Sequence, residues 1–289
     1  MKKILLLIIF CAVVMLSFGQ SRKKPSGFNK GKSSQTEKFL DTQWWIGFKA
    51  GTNLTEAVPG SRYSITVPTN YSSYRIEKLY DVFNKTGSQA SLEFTFFHKG
   101  FSFSTQPTYR LSRFTYSNQF YWQNASGMLI LNYQQEQKTS YADIPLIVKY
   151  DITGNKLRPY VQVGVFYSFL INATKSVTTS GTDNTSGVAN EFSNEPIIVG
   201  AKDLFHKGYW GLTGGVGLNY NIGNIRLVLD ASYWKGMSNV TNTQNRYSNN
   251  RLSGIGEAMD DMKLNNIVIS AGVLFPLRFL SNDFKSLGK

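Results

Sequence analysis

Few side chains in this 289-residue sequence could support catalysis. It has two histidines, His98 and His206, and a single cysteine, Cys11. A hydrolase- or acyltransferase-type site needs a histidine beside a serine and an acid, and only His206 has such neighbours in sequence, Asp203 and Ser193. Because a turn or surface histidine is the commoner case, we expect no catalytic residues and no enzyme activity.

Metal and phosphate sites are not indicated either. Asp183-Asn184 and Asp260-Asp261 offer hard oxygen ligands of the kind that Ca²⁺ binds. Neither pair lies in an organised calcium loop, so we expect solvated surface acids there. The glycines from Gly211 to Gly217 are not followed by a helical pattern, and we interpret them as close packing in a tight interior rather than a phosphate cradle. The sequence therefore predicts no metal site and no cofactor.

The amino-terminal residues 1–19 have the pattern of a secretory signal peptide. Lys2 and Lys3 precede an apolar run that ends at Leu16, and Ser17-Phe18-Gly19 is a suitable cleavage site. This run is short for a spanning helix. It also contains the only cysteine, so disulfides and thiolate metal sites are excluded from the remainder of the chain.

Residues 20–43 predict a basic, disordered periplasmic lead. The whole chain has 31 Lys and Arg against 18 Asp and Glu, a formal charge of +13, and much of the excess is concentrated in this Ser- and Gly-rich stretch. For an exported chain, outer-membrane lipids or an acidic partner, such as another envelope or secretion protein, are the expected contacts. Nucleic acid is not an expected contact.

The rest of the chain alternates apolar and polar residues with a period of two, which is typical of β-strands. Helical periodicity is nearly absent, and no second apolar run is long enough for a transmembrane helix. We predict eight strands at about residues 44–54, 88–98, 100–114, 139–150, 157–171, 208–221, 224–234 and 264–276.

The predicted connections alternate in length. Those at about 55–87, 115–138, 172–207 and 235–263 are long, and the other three are short turns. An up-and-down meander then places every short turn and both termini at one end, as in bacterial outer-membrane barrels. We therefore predict an all-β fold at residues 44–278: an eight-stranded antiparallel up-and-down transmembrane β-barrel in the cell outer membrane, with short periplasmic turns and long extracellular loops. Residues 279–289 would form a short periplasmic tail.

The polar face of these strands distinguishes a membrane barrel from a soluble β-sandwich, whose inner face should be apolar. A lipocalin-like barrel would likewise have an apolar interior. Inside a closed eight-stranded barrel, charges could pair and bind water in a narrow lumen. We predict an internal network that fills the barrel rather than opening it, formed by Lys49, Glu93, Arg110, Asp143, Lys149, Arg226 and Asp230.

Aromatic residues near the strand ends fit the girdles of a membrane barrel. They are Trp44, Trp45, Tyr109, Tyr141, Tyr160, Tyr167, Trp210, Tyr220, Tyr233 and Trp234. One residue disagrees with the pattern: Pro145 lies in the middle of a predicted strand, although proline cannot donate to a sheet ladder. We expect a bulge or a missing ladder bond there, satisfied by lumen water.

One stretch resembles the PorT-type outer-membrane β-barrel proteins of the Bacteroidota. The matching residues are Ile144-Pro145-Leu146, Lys149-Tyr150, Pro159-Tyr160 and Gly164. Most members of that family are barrels without an assigned activity, and PorT itself is associated with type IX secretion and gliding. The resemblance implies an interaction or assembly component of the envelope, with a link to secretion. A small pore or transport accessory is the alternative, and an outer-membrane enzyme a third.

Overall fold

The computed structural model describes residues 42–63, 78–124, 127–154, 156–185, 187–222, 224–246 and 258–277. All of them belong to the compact unit Phe39–Lys289. The predicted signal peptide, most of the basic lead and the carboxy-terminal tail lie outside the described residues. Within the described ranges, no helix is both long enough and apolar enough to cross a membrane.

Twelve strands and two short 3₁₀ helices are found in the described part of the chain. The 3₁₀ helices are Lys202–Leu204 and Thr243–Asn245. The strands are β1 (Thr42–Pro59), β2 (Leu79–Tyr80), β3 (Thr86–His98), β4 (Phe101–Thr105), β5 (Thr108–Asn124), β6 (Gly127–Asp151), β7 (Leu157–Asp183), β8 (Asn190–Ser193), β9 (Ile197–Gly200), β10 (Gly208–Ile222), β11 (Ile225–Gly236) and β12 (Met262–Pro276).

The long strands close into an antiparallel ring with eight strand positions. Strand β4 and strand β5 share one position, since both pair with β3 and with β6. The remaining pairs follow the chain, and β12 returns to β1, where Trp45 pairs with Pro276. The prediction of an all-β, eight-stranded antiparallel up-and-down barrel is confirmed.

The first short turn shows how local sequence sets this topology. Lys99 and Gly100 join β3 to β4 with positive φ angles of 46° and 92°. A two-residue hairpin with both central φ angles positive matches the right-handed twist of the flanking strands. Glycine adopts this conformation without steric cost, so two residues are enough to connect the two strands.

The two faces of the ring differ in chemistry as the alternation predicts. Phe48 and Val163 lie on the outer face and are 58% and 64% exposed. Lys49 and Gln162, their neighbours in sequence, point into the lumen and are buried. The outer surface is thus an apolar belt suited to lipid, and the polar residues lie inside.

Four aromatic residues of the predicted girdles are instead inside the barrel. Trp45, Tyr141, Tyr160 and Trp234 are buried, and the prediction that they face the membrane interface is wrong. Successive side chains of a strand point to opposite faces, so the exposure of Trp44 requires Trp45 to point inward. The other six, Trp44, Tyr109, Tyr167, Trp210, Tyr220 and Tyr233, are exposed on the outer face.

Two predicted loops are largely strand. Residues 115–138 continue β5 and β6, which remain paired as far as Asn124 and Gly127, and β7 extends to Asp183 beside Leu129 of β6. Apolar alternation ends at the membrane boundary, but backbone pairing needs no apolar face, and Thr, Tyr and Gln keep the ladder regular. We call this extension, residues 113–124, 127–138 and 174–183, the outer ribbon.

Of the two outcomes expected at Pro145, a bulge or a missing ladder bond, the second is found, and Pro145 itself causes no bulge. It pairs with Phe166 of β7 without a change of register, and the irregularity between β6 and β7 lies earlier, at Ser140 and Tyr141. The ladder is interrupted on the other side of β6. There Thr105 pairs with Leu146 and Thr108 with Asp143.

The gap between β4 and β5 therefore lies opposite Pro145. It consists of Gln106 and Pro107, and the Thr108 hydroxyl donates to the Gln106 backbone carbonyl at 2.6 Å. On the opposite side, the Leu92 N–H donates to the Pro107 carbonyl at 3.1 Å. A side-chain hydroxyl thus satisfies a carbonyl at the point where the ladder stops.

Candidate functional site

The centre of the lumen holds a four-residue ion-pair cluster contributed by four strands. Lys49 Nζ lies 2.9 Å from Glu93 Oε2 and 2.5 Å from Asp230 Oδ2, and Lys149 Nζ lies 2.6 Å from Glu93 Oε1. The Tyr160 hydroxyl donates to Asp230. None of the four charged side chains is more than about 4% exposed. Two cations balance two anions, as buried charges require.

A second ion pair, Arg110 with Asp143, is bidentate. Arg110 Nε donates to Asp143 Oδ2 at 2.7 Å and Nη2 to Oδ1 at 3.1 Å. The remaining donors reach Ser112 Oγ at 3.0 Å and the Tyr209 hydroxyl at 2.8 Å. Such a planar fork satisfies both carboxylate oxygens at once, so the guanidinium holds β5, β6 and β10 together across the lumen.

Arg226 is held differently from the other six predicted lumen charges. Its guanidinium carbon lies 4.2 Å from the centre of the Trp45 ring, and Nε donates to Asn221 Oδ1 at 2.9 Å. At the same, periplasmic end of the lumen as Arg226, Arg158 lies 3.6 Å from Asp151. Stacking on an aromatic face stabilises a guanidinium without an anion.

An aromatic cluster fills the outer half of the lumen. Tyr141 and Phe166 meet the Tyr209 ring edge-on, with centroid distances of 5.1 and 5.8 Å, and Phe166 also packs on Trp234 at 4.6 Å. Gly211 makes room for this layer, because a Cβ there would overlap the Phe166 ring. The Arg110 guanidinium carbon lies 5.4 Å from the centre of the Tyr141 ring and 5.7 Å from that of Trp234, so the aromatic cluster adjoins the second ion pair.

A third charged group closes the extracellular end. Lys78 Nζ lies 2.8 Å from Asp260 Oδ1 and donates to the carbonyls of Tyr63 and Ala258. Asp260 Oδ2 accepts from the Tyr80 hydroxyl at 2.9 Å. The expectation of a solvated acid is wrong for Asp260, which is buried. Its lysine partner lies far away in the sequence, so the local pattern carried no sign of it.

Residues 18–242 match the family described as the outer membrane protein beta-barrel domain. The chain belongs to this family. No curated protein matches the chain.

Three solved structures similar to this chain cover most of its length at low sequence identity. Neisserial surface protein A is 13% identical, covering 80% of this chain and 96% of its own, with a TM-score of 0.33. The Escherichia coli outer membrane protein W is 14% identical, with 82% and 98% covered and a TM-score of 0.32. Ail of Yersinia pestis, solved with the heparin analogue sucrose octasulfate, is 12% identical, with 81% and 99% covered and a TM-score of 0.29.

The family and the lipid-facing belt agree on where this outer-membrane barrel resides. Its strands β1, β3, β6 and β7 each carry exposed apolar side chains on alternate positions, including Leu92, Leu146 and Val165. The predicted localisation in the outer membrane is confirmed. The PorT-type subgroup is a finer assignment than the family and is taken up with the proposed function.

The histidines of this outer-membrane barrel are not assembled with a serine and an acid in the described part of the chain. His98 Nδ1 lies 2.9 Å from the Thr42 hydroxyl, beside a periplasmic turn. His206 is exposed near Asp203, but Ser193 pairs with Ser180 of β7. Ser180 lies about 20 Å farther along β7 than Thr174, which pairs with Gly200 on the segment that leads to His206. Ser193 is therefore not beside His206. The described residues also contain no cluster of three or more metal-ligating side chains.

Sequence reasoning missed several residues that complete the lumen. Gln106 Oε1 accepts from Lys49 at 2.8 Å, and Tyr160 and Tyr209 bond charged partners. Their inward orientation was available from the period-two alternation, since Tyr209 shares the parity of Gly211. Tyr160 was assigned to the interfacial girdle, and neither Gln106 nor Tyr209 was included in the predicted charge network.

Proposed function

We propose that this outer-membrane barrel is a non-enzymatic interaction or assembly component of the cell envelope. One observation carries the proposal: the lumen is filled with paired charges and aromatic rings, while β5, β6 and β7 continue past the lipid-facing belt as an ordered ribbon. The working surface is then outside the lumen, on the extracellular side.

The filled lumen argues against passage of large solutes. The interior of an eight-stranded barrel is just wide enough for side chains to fill. Lys49, Glu93, Lys149 and Asp230 come from four different strands and meet in one cluster. Breaking a buried pair costs about 3–5 kcal/mol, so a channel through this cluster would be costly to open.

The outward face of the outer ribbon is polar from Ser117 to Gln119 on β5 and from Asn132 to Lys138 on β6, whereas its tip carries apolar residues such as Phe120, which is 41% exposed. Arg113 Nε donates to Glu136 Oε1 at 2.8 Å, and Gln119 Nε2 donates to Asn132 Oδ1 at 2.8 Å, both across β5 and β6. Cross-strand pairs of this kind stabilise the ribbon in water. A paired ribbon presents its side chains in fixed positions, which favours recognition of a protein partner.

One edge of the ribbon also carries exposed apolar residues. Strand β9 pairs with β7, and its Ile197 and Ile198 side chains are exposed. Exposed apolar edge strands can accept a strand from another protein. This edge supports a protein partner on the extracellular side.

The resemblance to PorT-type proteins supplies the finer part of the proposal. It supports a role related to secretion, with other envelope or secretion proteins and outer-membrane lipids as partners and no nucleic acid. The resemblance depends on the segment from Ile144 to Gly164, which forms the end of β6, a turn and the start of β7. This segment builds the barrel wall, so it supports the family type rather than a particular partner.

A small pore or transport accessory is the second candidate, and one observation favours it. Gln106 Nε2 and Gln162 Oε1 are buried in the lumen without a protein partner in the described structure. Buried polar atoms of this kind are usually satisfied by water, and a chain of waters could pass small solutes. Conductance measurements separate this candidate from the first.

Crosslinking in living cells tests the interaction proposal. A photoreactive residue at Gln134, which is exposed on the outer ribbon, should give a discrete protein adduct. The matched control is Val163, on the lipid-facing belt, where we expect lipid adducts alone. Protein adducts absent from Gln134, Ser117 and Gln119 alike would contradict a ribbon-mediated interaction.

A further inference from the structure

A groove beside residues 167–170 of β7, just before the outer ribbon begins, is not used by the proposed function. Its volume is about 930 Å³. One wall is the segment from Gly200 to Gly208, and the other is the second 3₁₀ helix with Asn242 before it. Tyr167, Leu170 and Phe205 contribute apolar surface. We call it the outer groove.

The walls of the outer groove are tied together by backbone and amide hydrogen bonds. The side-chain amides of Asn242 and Asn245 both donate to the Asp203 carbonyl at 3.1 Å. The Asn242 N–H donates to the Leu204 carbonyl at 2.8 Å, and the His206 N–H to the Val240 carbonyl at 2.8 Å. These bonds fix the shape of the groove before any ligand binds.

The outer groove lies where the lipid-facing belt ends. Tyr167, Phe169 and Ile171 are successive outward-facing residues of β7, all exposed, and Tyr167 itself lines the groove. The Leu170 N–H donates to the Lys207 carbonyl at 2.8 Å, so the groove wall joins the barrel at this level. A lipid whose acyl chain lies on the belt would therefore place its headgroup at the groove.

The polar lining of the outer groove suits an anion. Lys202, Lys207 and His206 are exposed there, beside the amide of Gln244. Asp203 is the one acidic residue of the lining. Lysine ammonium groups bind phosphate as point charges, and amide N–H groups add donors. The balance of charge in the groove is positive.

On other strands too, cations lie just beyond the outward-facing apolar residues of the belt. The outward-facing cations at this level are Arg113 on β5, Lys138 on β6, Lys235 on β11 and Lys263 on β12. The acids there are Glu56 and Glu136. A rim with more cations than anions fits a membrane leaflet whose lipids carry negative headgroups.

We propose that the outer groove binds the phosphate-bearing headgroup of an outer-leaflet lipid, with an acyl chain lying along Tyr167 and the belt below it. Lys202 and Lys207 hold the phosphate, and the amide of Gln244 adds a donor. This goes beyond the proposed function, since it concerns a lipid site on the barrel wall and not the ribbon.

Equilibrium binding of fluorescent diphosphoryl lipid A to the full-length protein in detergent micelles tests the site. The double variant Lys202→Gln/Lys207→Gln should bind about thirtyfold more weakly, because each cation near an anionic surface contributes about fivefold. The matched control, Lys99→Gln/Lys156→Gln, removes two exposed lysines of the short periplasmic turns, far from the groove, and should change binding less than about threefold. Heat-dependent gel mobility checks that both variants fold.

Two further arms identify the ligand. Dephosphorylated lipid A should bind at least about tenfold more weakly than the diphosphoryl form, and millimolar inorganic phosphate should not displace the probe. In the unsubstituted protein, a photoreactive lipid A should label peptides containing residues 200–208 and 242–245. Equal losses in the two double variants, equal binding of the dephosphorylated lipid, displacement by free phosphate, or labelling elsewhere would each overturn the proposal.

Discussion

Lys49 on β1 and Glu93 on β3 form an ion pair of 2.9 Å inside the barrel, and both side chains are almost completely buried. Each has a second partner of opposite charge, Asp230 for Lys49 and Lys149 for Glu93. The four side chains are therefore neutral as a group. Removal of one member leaves an uncompensated charge in a place that water reaches poorly.

Substitution Lys49→Met should destabilise the folded barrel by about 3–5 kcal/mol, because it leaves two anions facing one cation. Urea unfolding in phosphatidylcholine vesicles measures the change. The double variant Lys49→Met/Asp230→Leu leaves the Lys149–Glu93 pair intact and should recover at least half of the loss. A double variant as unstable as the sum of its two single variants would show that the four charges are not coupled.

Arg110→Lys should cost about 1–3 kcal/mol, although the charge is retained. A lysine cannot make the bidentate contact with Asp143 and at the same time bond Ser112 and Tyr209. The control is Arg113→Lys on the same strand, whose pair with Glu136 is partly exposed. It should change the unfolding free energy by less than about 0.5 kcal/mol. Similar values for the two variants would mean that the fork geometry at Arg110 contributes little.

Gly217→Ala should destabilise the barrel by about 1–3 kcal/mol, because a Cβ at this position would overlap the Tyr160 ring. Gly214→Ala on the same strand is the control, since the nearest atom to its Cβ is the Gln162 carbonyl oxygen at 3.8 Å, an ordinary contact. We expect it to be close to neutral. The same urea titrations compare the two, and a neutral Gly217→Ala would show that the lumen is less tightly packed than described.

Thr108→Val should cost about 1–2 kcal/mol by leaving the Gln106 carbonyl without its hydroxyl donor at the gap opposite Pro145. Thr108→Ser keeps the hydroxyl and should retain most of the stability. The difference between the valine and serine variants isolates the hydrogen bond from the loss of a methyl group. Equal costs for the two would assign the effect to packing.

The period-two alternation was enough to predict the barrel and the inward side of each strand, because a one-residue change reverses the face. Lys49, Glu93 and Asp230 were therefore placed in the lumen from the sequence. Their partners were not predictable, since pairing depends on strand register and on the tilt of the closed barrel. Arg226 illustrates this: its partner is the Trp45 ring and not a predicted acid.

Strand ends and loop contacts were harder to predict. The outer ribbon keeps its ladder without a continuous apolar face, so the alternation used to find strands stops before the strands do. Asp260 is buried by Lys78, which approaches from a distant loop. Such contacts depend on how the extracellular segments fold over one another, and no local pattern records that.

Conductance in planar phospholipid bilayers tests the central claim, a lumen filled by ion pairs and aromatic rings, most directly. After insertion of the purified barrel, we predict no large, stable channels. The Lys49–Glu93–Lys149–Asp230 cluster and the aromatic cluster around Tyr209 occupy the cross-section of the lumen. Stable, large unitary currents from correctly folded protein would contradict the account and favour the pore.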